Sequence, residues 1–347
     1  MRKFNIASIA QSISERPRFI ATIAGAVTLA SLALINRRGG KQAEQEHPPQ
    51  GKSITVDGVR LHYVERGVGP TLVLLHGNGA TLGDFEVSGL LSMAAEHYHV
   101  IAFDRPGFGY SARPRSTVWT PAAQAALLNK ALHQIGIVHP LILGHSWGTM
   151  VALAMAIEQP AYPGGLILVS GYYFPTPRAD IIPLAVPAVP LIGDVVAHTL
   201  SPLSGKLMSP AMFKVMFSPL PVAERMSQWP LALALRPSQV RAAAADTALM
   251  VPSAASLRDG YDKIIVPVAI IGGDGDKIVS FETQAVTLHE RLGGSKLVRI
   301  EGAGHMVHYS HGAEILEAID WVAGQSREVL GVPAGEDLIP DGSSGSF

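Results

Sequence analysis

The chain, 347 residues long, contains no cysteine. That absence removes disulfides, thiolate metal sites, a cysteine nucleophile and a lipid-modified cysteine, although it does not choose a compartment. Charge is also scarce: 16% of residues are charged against 48% hydrophobic, and mean hydropathy is +0.25. A formal net charge of -1 offers no electrostatic case for a nucleic-acid partner. This composition points to a membrane segment, a greasy substrate surface, or both. The length is enough to bury a full core, in one large or two smaller domains.

The longest apolar run is Phe19 to Ile35, seventeen uncharged residues with Arg16 and Arg18 before it and Arg37 and Arg38 after it. As a helix it reaches ~26 Å, just short of a bilayer core of ~30 Å. Its one Ala-x-Ala pattern, Ala24-Gly25-Ala26, falls inside the run rather than after it, so an uncleaved single-pass membrane anchor is expected within residues 1–38. A cleaved export signal and a surface helix are the alternatives, and basic residues on both flanks leave the membrane side open. Residues 39–51 turn polar and Pro-containing, as a linker does.

Beyond the linker, short apolar runs alternate with longer amphipathic ones, which predicts a mostly parallel sheet with helices on both faces. Strands are expected at 61–65, 72–75, 100–103, 141–143, 166–169, 266–271 and 296–300, and helices at 90–96, 120–135, 147–158, 281–292 and 313–322. Thr120-Pro121 reads as an N-cap followed by proline at the first helical position. The alternation stops from Tyr172 to about Arg258, a stretch rich in Pro, Met, Ala and Leu without a strand signal. The C-terminal residues 326–347 read as a disordered tail. No internal repeat is visible.

The strongest chemical signal is Gly144-His145-Ser146-Trp147-Gly148, a G-x-S-x-G between a predicted strand and a predicted helix. A serine on so sharp a turn needs small residues two before and two after it, and the following helix offers its first N–H groups to an oxyanion. Serine needs a base. Among thirteen histidines, His305 lies in the small-residue loop Gly302-Ala303-Gly304, after the last predicted strand. His308 and His311 follow at three-residue intervals, but no carboxylate accompanies them in a metal-ligand spacing. The orienting acid is sought after the strand at 266–271, where Asp274 and Asp276 both stand and position alone does not separate them.

With these residues in view, the chain resembles the α/β-hydrolase superfamily from about Gly51 to Gln325. It has the order nucleophile, acid, histidine, the His76-Gly77-Asn78-Gly79 motif after a strand, and Asp104-Arg105-Pro106-Gly107-Phe108-Gly109 with Ser111 beyond it. The resemblance implies a core of residues 52–171 and 259–325 with an inserted cap at 172–258. It selects Asp276 by alignment on Gly273, although Ser280 stands where the family carries proline. It makes the backbone N–H groups of Asn78 and Trp147 the oxyanion hole. It also makes Asp104 and Arg105 a structural turn, pairing or hydrogen-bonding backbone near the site. Asn78 and Trp147 further match haloalkane dehalogenases, but those enzymes attack with a carboxylate where this chain has Ser146, so the two side chains are read as inherited shape or substrate lining.

The cap stretch holds Phe174, Met208, Met212, Phe213, Met216, Phe217, Met226 and Trp229. Such surfaces adapt to apolar ligands, though most of these side chains are expected simply to pack the cap onto the sheet. Tyr172 and Phe174 are candidate substrate contacts. The expected activity is hydrolysis of a small hydrophobic ester through an acyl-enzyme, without metal or organic cofactor. Lactone or carbon–carbon bond hydrolysis, cofactor-free haloperoxidation and non-catalytic binding at a membrane are the alternatives.

Overall fold

The apolar runs come together as one eight-stranded sheet in the computed structural model, which describes residues 6–330 and, for side chains, 19–328. The strands are β1 (Lys52–Val56), β2 (Val59–Arg66), β3 (Thr71–Leu75), β4 (His99–Phe103), β5 (Leu141–His145), β6 (Gly165–Val169), β7 (Val268–Gly273) and β8 (Lys296–Ile300). Their spatial order is β1-β2-β4-β3-β5-β6-β7-β8. β2 runs antiparallel to β1 and β4, and every other pairing is parallel. Strands β3 to β7 are buried along nearly their whole length, which is why they read as unbroken apolar runs rather than alternating ones. The strand β1 was not expected. It is tied to β2 by a two-residue turn in which Asp57 (φ 50°) and Gly58 (φ 77°) both take left-handed conformations.

The helices are α1 (Ile6–Glu46), α2 (Gly83–Ser88), α3 (Leu90–Ala94), α4 (Pro121–Gln134), α5 (Trp147–Glu158), α6 (Ile181–Ala185), α7 (Ile192–His198), α8 (Leu200–Phe217), α9 (Leu231–Ala234), α10 (Pro237–Arg258), α11 (Thr287–Arg291) and α12 (Gly312–Leu330). Alternate residues along the strands point to opposite faces. Val73, Leu75, Ile101, Phe103 and Ile142 pack with α4 and α5, while Leu72, Leu74, Val100, Ala102 and Leu143 pack with α2, α3 and α12. Thr120 caps α4 as expected, its hydroxyl accepting from the Ala123 N–H at 3.1 Å. The helix expected at 90–96 is α3, and a further short helix that was not expected, α2, precedes it, the two separated at Gly89 (φ 84°).

Two termini depart from the sequence reading. The helix α1 does not stop at Ile35 but runs on to Glu46, so most of the expected linker is helical. The cause is tertiary: Leu32, Ala33, Asn36, Gly40 and Ala43 share one covered face, and Glu44 pairs with Arg236 at 2.7 Å. This packing outweighs the helix-breaking tendency of Gly39-Gly40, about 1 kcal/mol per glycine. At the other end α12 continues past Val322 to Leu330, because Ile315, Ile319, Val322 and Ser326 form a buried stripe at helical spacing. The first residues of the expected disordered tail are therefore helical, and residues 331–347 lie outside the described residues. Between β6 and β7 the chain forms α6 to α10 and no strand, a helical layer over the loops that follow β3, β5, β7 and β8.

Candidate active site

Four loops at the carboxyl ends of parallel strands converge beneath that helical layer. Ser146 occupies the turn from β5 into α5 at φ 51°, ψ −117°, a conformation that side-chain-bearing residues rarely adopt. The flanking glycines are demanded by close approach: a Cβ on Gly144 would stand 2.5 Å from the Gly148 carbonyl, and one on Gly148 2.1 Å from the Leu75 carbonyl oxygen.

The loop after β8 carries His305, whose backbone N–H donates to the Met216 carbonyl of α8 at 2.8 Å. Its Nε2 lies 3.0 Å from Ser146 Oγ and its Nδ1 2.7 Å from Asp276 Oδ2. The other Asp276 oxygen accepts from the N–H groups of Ile278 (2.7 Å) and Val279 (3.0 Å), which fixes the carboxylate. Asp274 faces elsewhere, accepting from the Gly302 N–H at 2.8 Å with Arg299 4.0 Å away. Both side chains of the His305–Asp276 pair are almost wholly buried, and Ser146 is half-buried.

Asn78 follows β3, and its side-chain amide donates to Thr247 Oγ1 (2.8 Å) and the Ala243 carbonyl (3.1 Å) of α10. The amide is thus committed to holding α10. Trp147 is the first residue of α5, where N–H groups lack a carbonyl one turn earlier. Its ring is buried in the core, with Nε1 unpartnered among the described residues. Tyr172 hydrogen-bonds within its own turn, its hydroxyl accepting from the Thr176 N–H at 2.7 Å, and Phe174 packs edge-on against Tyr261. Neither residue lines the cavity beside the site.

That cavity, of about 390 Å³, runs from Asn78 and Met306 up between α6, α8, α9 and α10. Met208, Met212, Phe213, Met216, Met226 and Trp229 line it, together with Met306, whereas Phe217 packs on Tyr309. Ser146 itself is not part of its wall.

The sequence reading missed the support behind the elbow. Asp84 accepts from His308 Nε2 (2.9 Å) and from the Tyr309 hydroxyl (2.8 Å), and the His308 ring lies 4.4 Å from that of His145. The donor atoms of Asp84, His145 and His308 lie within 4.8 Å of one another, but hydrogen bonds already account for the carboxylate. The turn around Arg105 is equally buried. Arg105 donates to Asp246 of α10 (2.8 Å), to Gln124 of α4 (2.9 Å) and to the carbonyls of His76 (2.8 Å) and Gly77 (3.0 Å), while Asp104 accepts from the N–H groups of Leu82 and Tyr110, both at 3.0 Å.

Burial sets the pH dependence of this shell. It pushes His145 well below 6.5, helped by the neighbouring His308 and His305, and with the Arg105 charge it pushes His76 down to about 3. Burial works against ionisation of Asp84, yet the adjacent His308 brings its carboxyl to about 2. Both imidazoles stay neutral when folded and take a proton when unfolded, so stability falls as pH drops below 6.5. Each contributes up to about 1.4 kcal/mol per pH unit. The depressed Asp84 adds loss only below its ordinary value of 3.8. His62, raised by Asp104 although burial opposes it, loses its contribution only as pH rises above 6.5. Urea midpoints of the full chain are therefore expected to decline steadily from pH 6.5 to pH 4; a flat profile there would contradict the neutral assignment.

Comparison with known proteins follows the same lines. A family model described as "alpha/beta hydrolase fold" matches residues 70–312. Haloalkane dehalogenase 2 of Mycobacterium bovis is 28% identical over 116 residues, 33% of this chain and 40% of that protein, so the chain spans well under half the length of that relative. The structure of an esterase from Exiguobacterium antarcticum matches with a TM-score of 0.60 at 26% identity, over 79% of this chain and all (100%) of the other. A membrane phospholipase A, described as a bacterial virulence factor, matches with a TM-score of 0.60 at 22% identity, over 90% of this chain and 99% of the other.

Proposed function

The chain belongs to the alpha/beta hydrolase fold family, and from that premise we propose that it is a membrane-anchored serine hydrolase cleaving a hydrophobic carboxylic ester through an acyl-enzyme. The observation that carries this reading is the unbroken hydrogen-bond chain from Ser146 Oγ through His305 (3.0 Å) to Asp276 (2.7 Å). His305 takes the Ser146 proton as the oxygen attacks the ester carbonyl, and Asp276 holds the imidazole in the required tautomer and stabilises the imidazolium. The backbone N–H groups of Asn78 and Trp147 receive the developing oxyanion, each worth ~10²–10³ in rate. The alcohol leaves with the proton from His305, and water then releases the acyl group by the reverse sequence. These steps ask for no metal or organic cofactor.

The methionine-lined cavity supports an apolar acyl group, since unbranched thioether side chains repack around ligands of differing length. An apolar window in α1, within Phe19–Glu46, none of it buried, supports a single N-terminal anchor, and the segment 172–258 serves as the cap. The test is kcat/KM for p-nitrophenyl esters of increasing acyl length. Each added methylene is expected to raise kcat/KM by up to about fourfold until the cavity is filled, from ~0.8 kcal/mol per buried CH₂. A profile that is flat or falls from acetate onward would remove the acyl group from this cavity. A folded enzyme that turns over no ester would move lactone or carbon–carbon hydrolysis to the front.

A further inference from the structure

The cap is apolar on its outside as well as inside. Ile182, Leu191 and Leu207 are 74%, 81% and 73% exposed, and Ile192, Val195, Leu200 and Leu203 stand exposed around them on α7 and α8. Leu191 holds this position at φ 65°, a strained conformation for a branched side chain facing water. From Ile181 to Met216 the sequence contains one carboxylate, Asp194, and it is turned onto Arg115 (2.8 Å) and Arg241 (3.1 Å). The exposed charges that remain there are Lys206 and Lys214. So many large apolar side chains exposed on neighbouring helices, with so few charges among them, point to an interaction surface rather than ordinary solvent-facing protein.

The helix α1 indicates what covers it. Its apolar run ends at Ile35, and the next residue, Asn36, donates to the carbonyls of His198 (2.9 Å) and Thr199 (2.8 Å), at the break between α7 and α8. The apolar segment of α1 therefore meets the folded protein at the α7–α8 break, between two of the helices that carry this exposed apolar surface. Arg37 and Arg38 follow at once, and with Lys206 and Lys214 they suit the anionic headgroups of a bilayer surface. The cavity opens on the same side, because Leu184, Met208 and Met212 both line it and are exposed.

We propose that the outer face of α6, α7 and α8 lies in the surface layer of the bilayer that α1 spans, so that an acyl substrate enters the cavity from the lipid rather than from water. This proposal rests on the anchor reading of α1 given above. The cysteine-free chain makes it directly testable. Val27→Cys, Leu191→Cys, Leu207→Cys and Val68→Cys are each labelled with nitrobenzoxadiazole and reconstituted, as the full chain, into phosphatidylcholine–phosphatidylglycerol vesicles containing doxyl-labelled lipid. Quenching is expected at 27, 191 and 207 and not at 68, which lies in the turn between β2 and β3. Quenching at 27 alone overturns the proposal and leaves the anchor standing; no quenching at 27 removes both. A second measurement uses Leu191→Asp with Leu207→Asp. Turnover of a long-chain ester presented in vesicles is expected to fall about tenfold or more, with a soluble short-chain ester hydrolysed at the unchanged rate. Equal turnover of the vesicle substrate by the variant would overturn entry from lipid.

Discussion

Changing Ser146 to Ala is expected to lower kcat for a hydrophobic ester by about 10⁶-fold, to the residual rate that binding and the oxyanion donors supply. The loss is large because Oγ is both the attacking atom and the acceptor of the acyl group, so no neighbouring group replaces it. Asp276→Asn is expected to cost about 10⁴-fold, since an amide at 2.7 Å from His305 Nδ1 favours the wrong tautomer. Asp274→Asn should leave kcat nearly untouched, because that carboxylate closes the turn at Gly302 and does not reach the imidazole. Steady-state kinetics on the three variants, each checked for native circular dichroism, separates the two carboxylates. A large fall for Asp274→Asn with a small one for Asp276→Asn would transfer the acid role. Losses in double variants will not add, since the three groups act as a unit.

The second large effect is structural. Arg105 and Asp246 form an ion pair at 2.8 Å with both side chains fully buried. Removing one partner from such a pair leaves an uncompensated charge in the interior and costs about 3–5 kcal/mol. Asp246→Leu, which leaves the fully buried Arg105 without its carboxylate, is therefore expected to lower unfolding stability by that amount, measured by urea denaturation of the full chain, whereas Arg105→Met leaves Asp246 paired with Arg113 at 2.8 Å and is expected to cost less. Its consequences reach the site, because the same guanidinium holds the carbonyls of His76 and Gly77 immediately before Asn78. KM for long-chain esters should rise as α10 loosens over Asn78. Arg105→Met combined with Asp246→Leu should destabilise less than Asp246→Leu alone, because no buried guanidinium is then left at position 105, although Arg113, 2.8 Å from Asp246, loses its own partner. A double variant as unstable as the sum of the single ones would show that the charges are not coupled.

Much of this was legible in the residues because the chemistry is local. G-x-S-x-G declares its own backbone, and buried parallel strands leave apolar runs that need no partner to be recognised. β1 was legible too, through Asp57-Gly58, a pair suited to a two-residue hairpin, but Lys52–Val56 is short and only partly buried, so the apolar-run criterion passed over it. What stayed hidden depends on contacts between distant segments. Asp84 meets His308 across 224 residues, and Asp246 is a lone carboxylate in an alanine-rich stretch whose partner is 141 residues away. The helical continuation through Gly39-Gly40 is set by packing against the cap, which outweighs the local preference. Between Asp274 and Asp276 position alone did not decide, since both closely follow the end of β7; the family resemblance selected Asp276, and that is the carboxylate that meets His305 in three dimensions.

The most direct measurement is the intact mass of the full chain after treatment with a fluorophosphonate, followed by peptide mapping. The account predicts a single adduct on Ser146, absent in Ser146→Ala and much slower to form when His305 is changed to Ala. An unmodified Ser146 in folded protein, or an adduct on another residue that persists in Ser146→Ala, would contradict it.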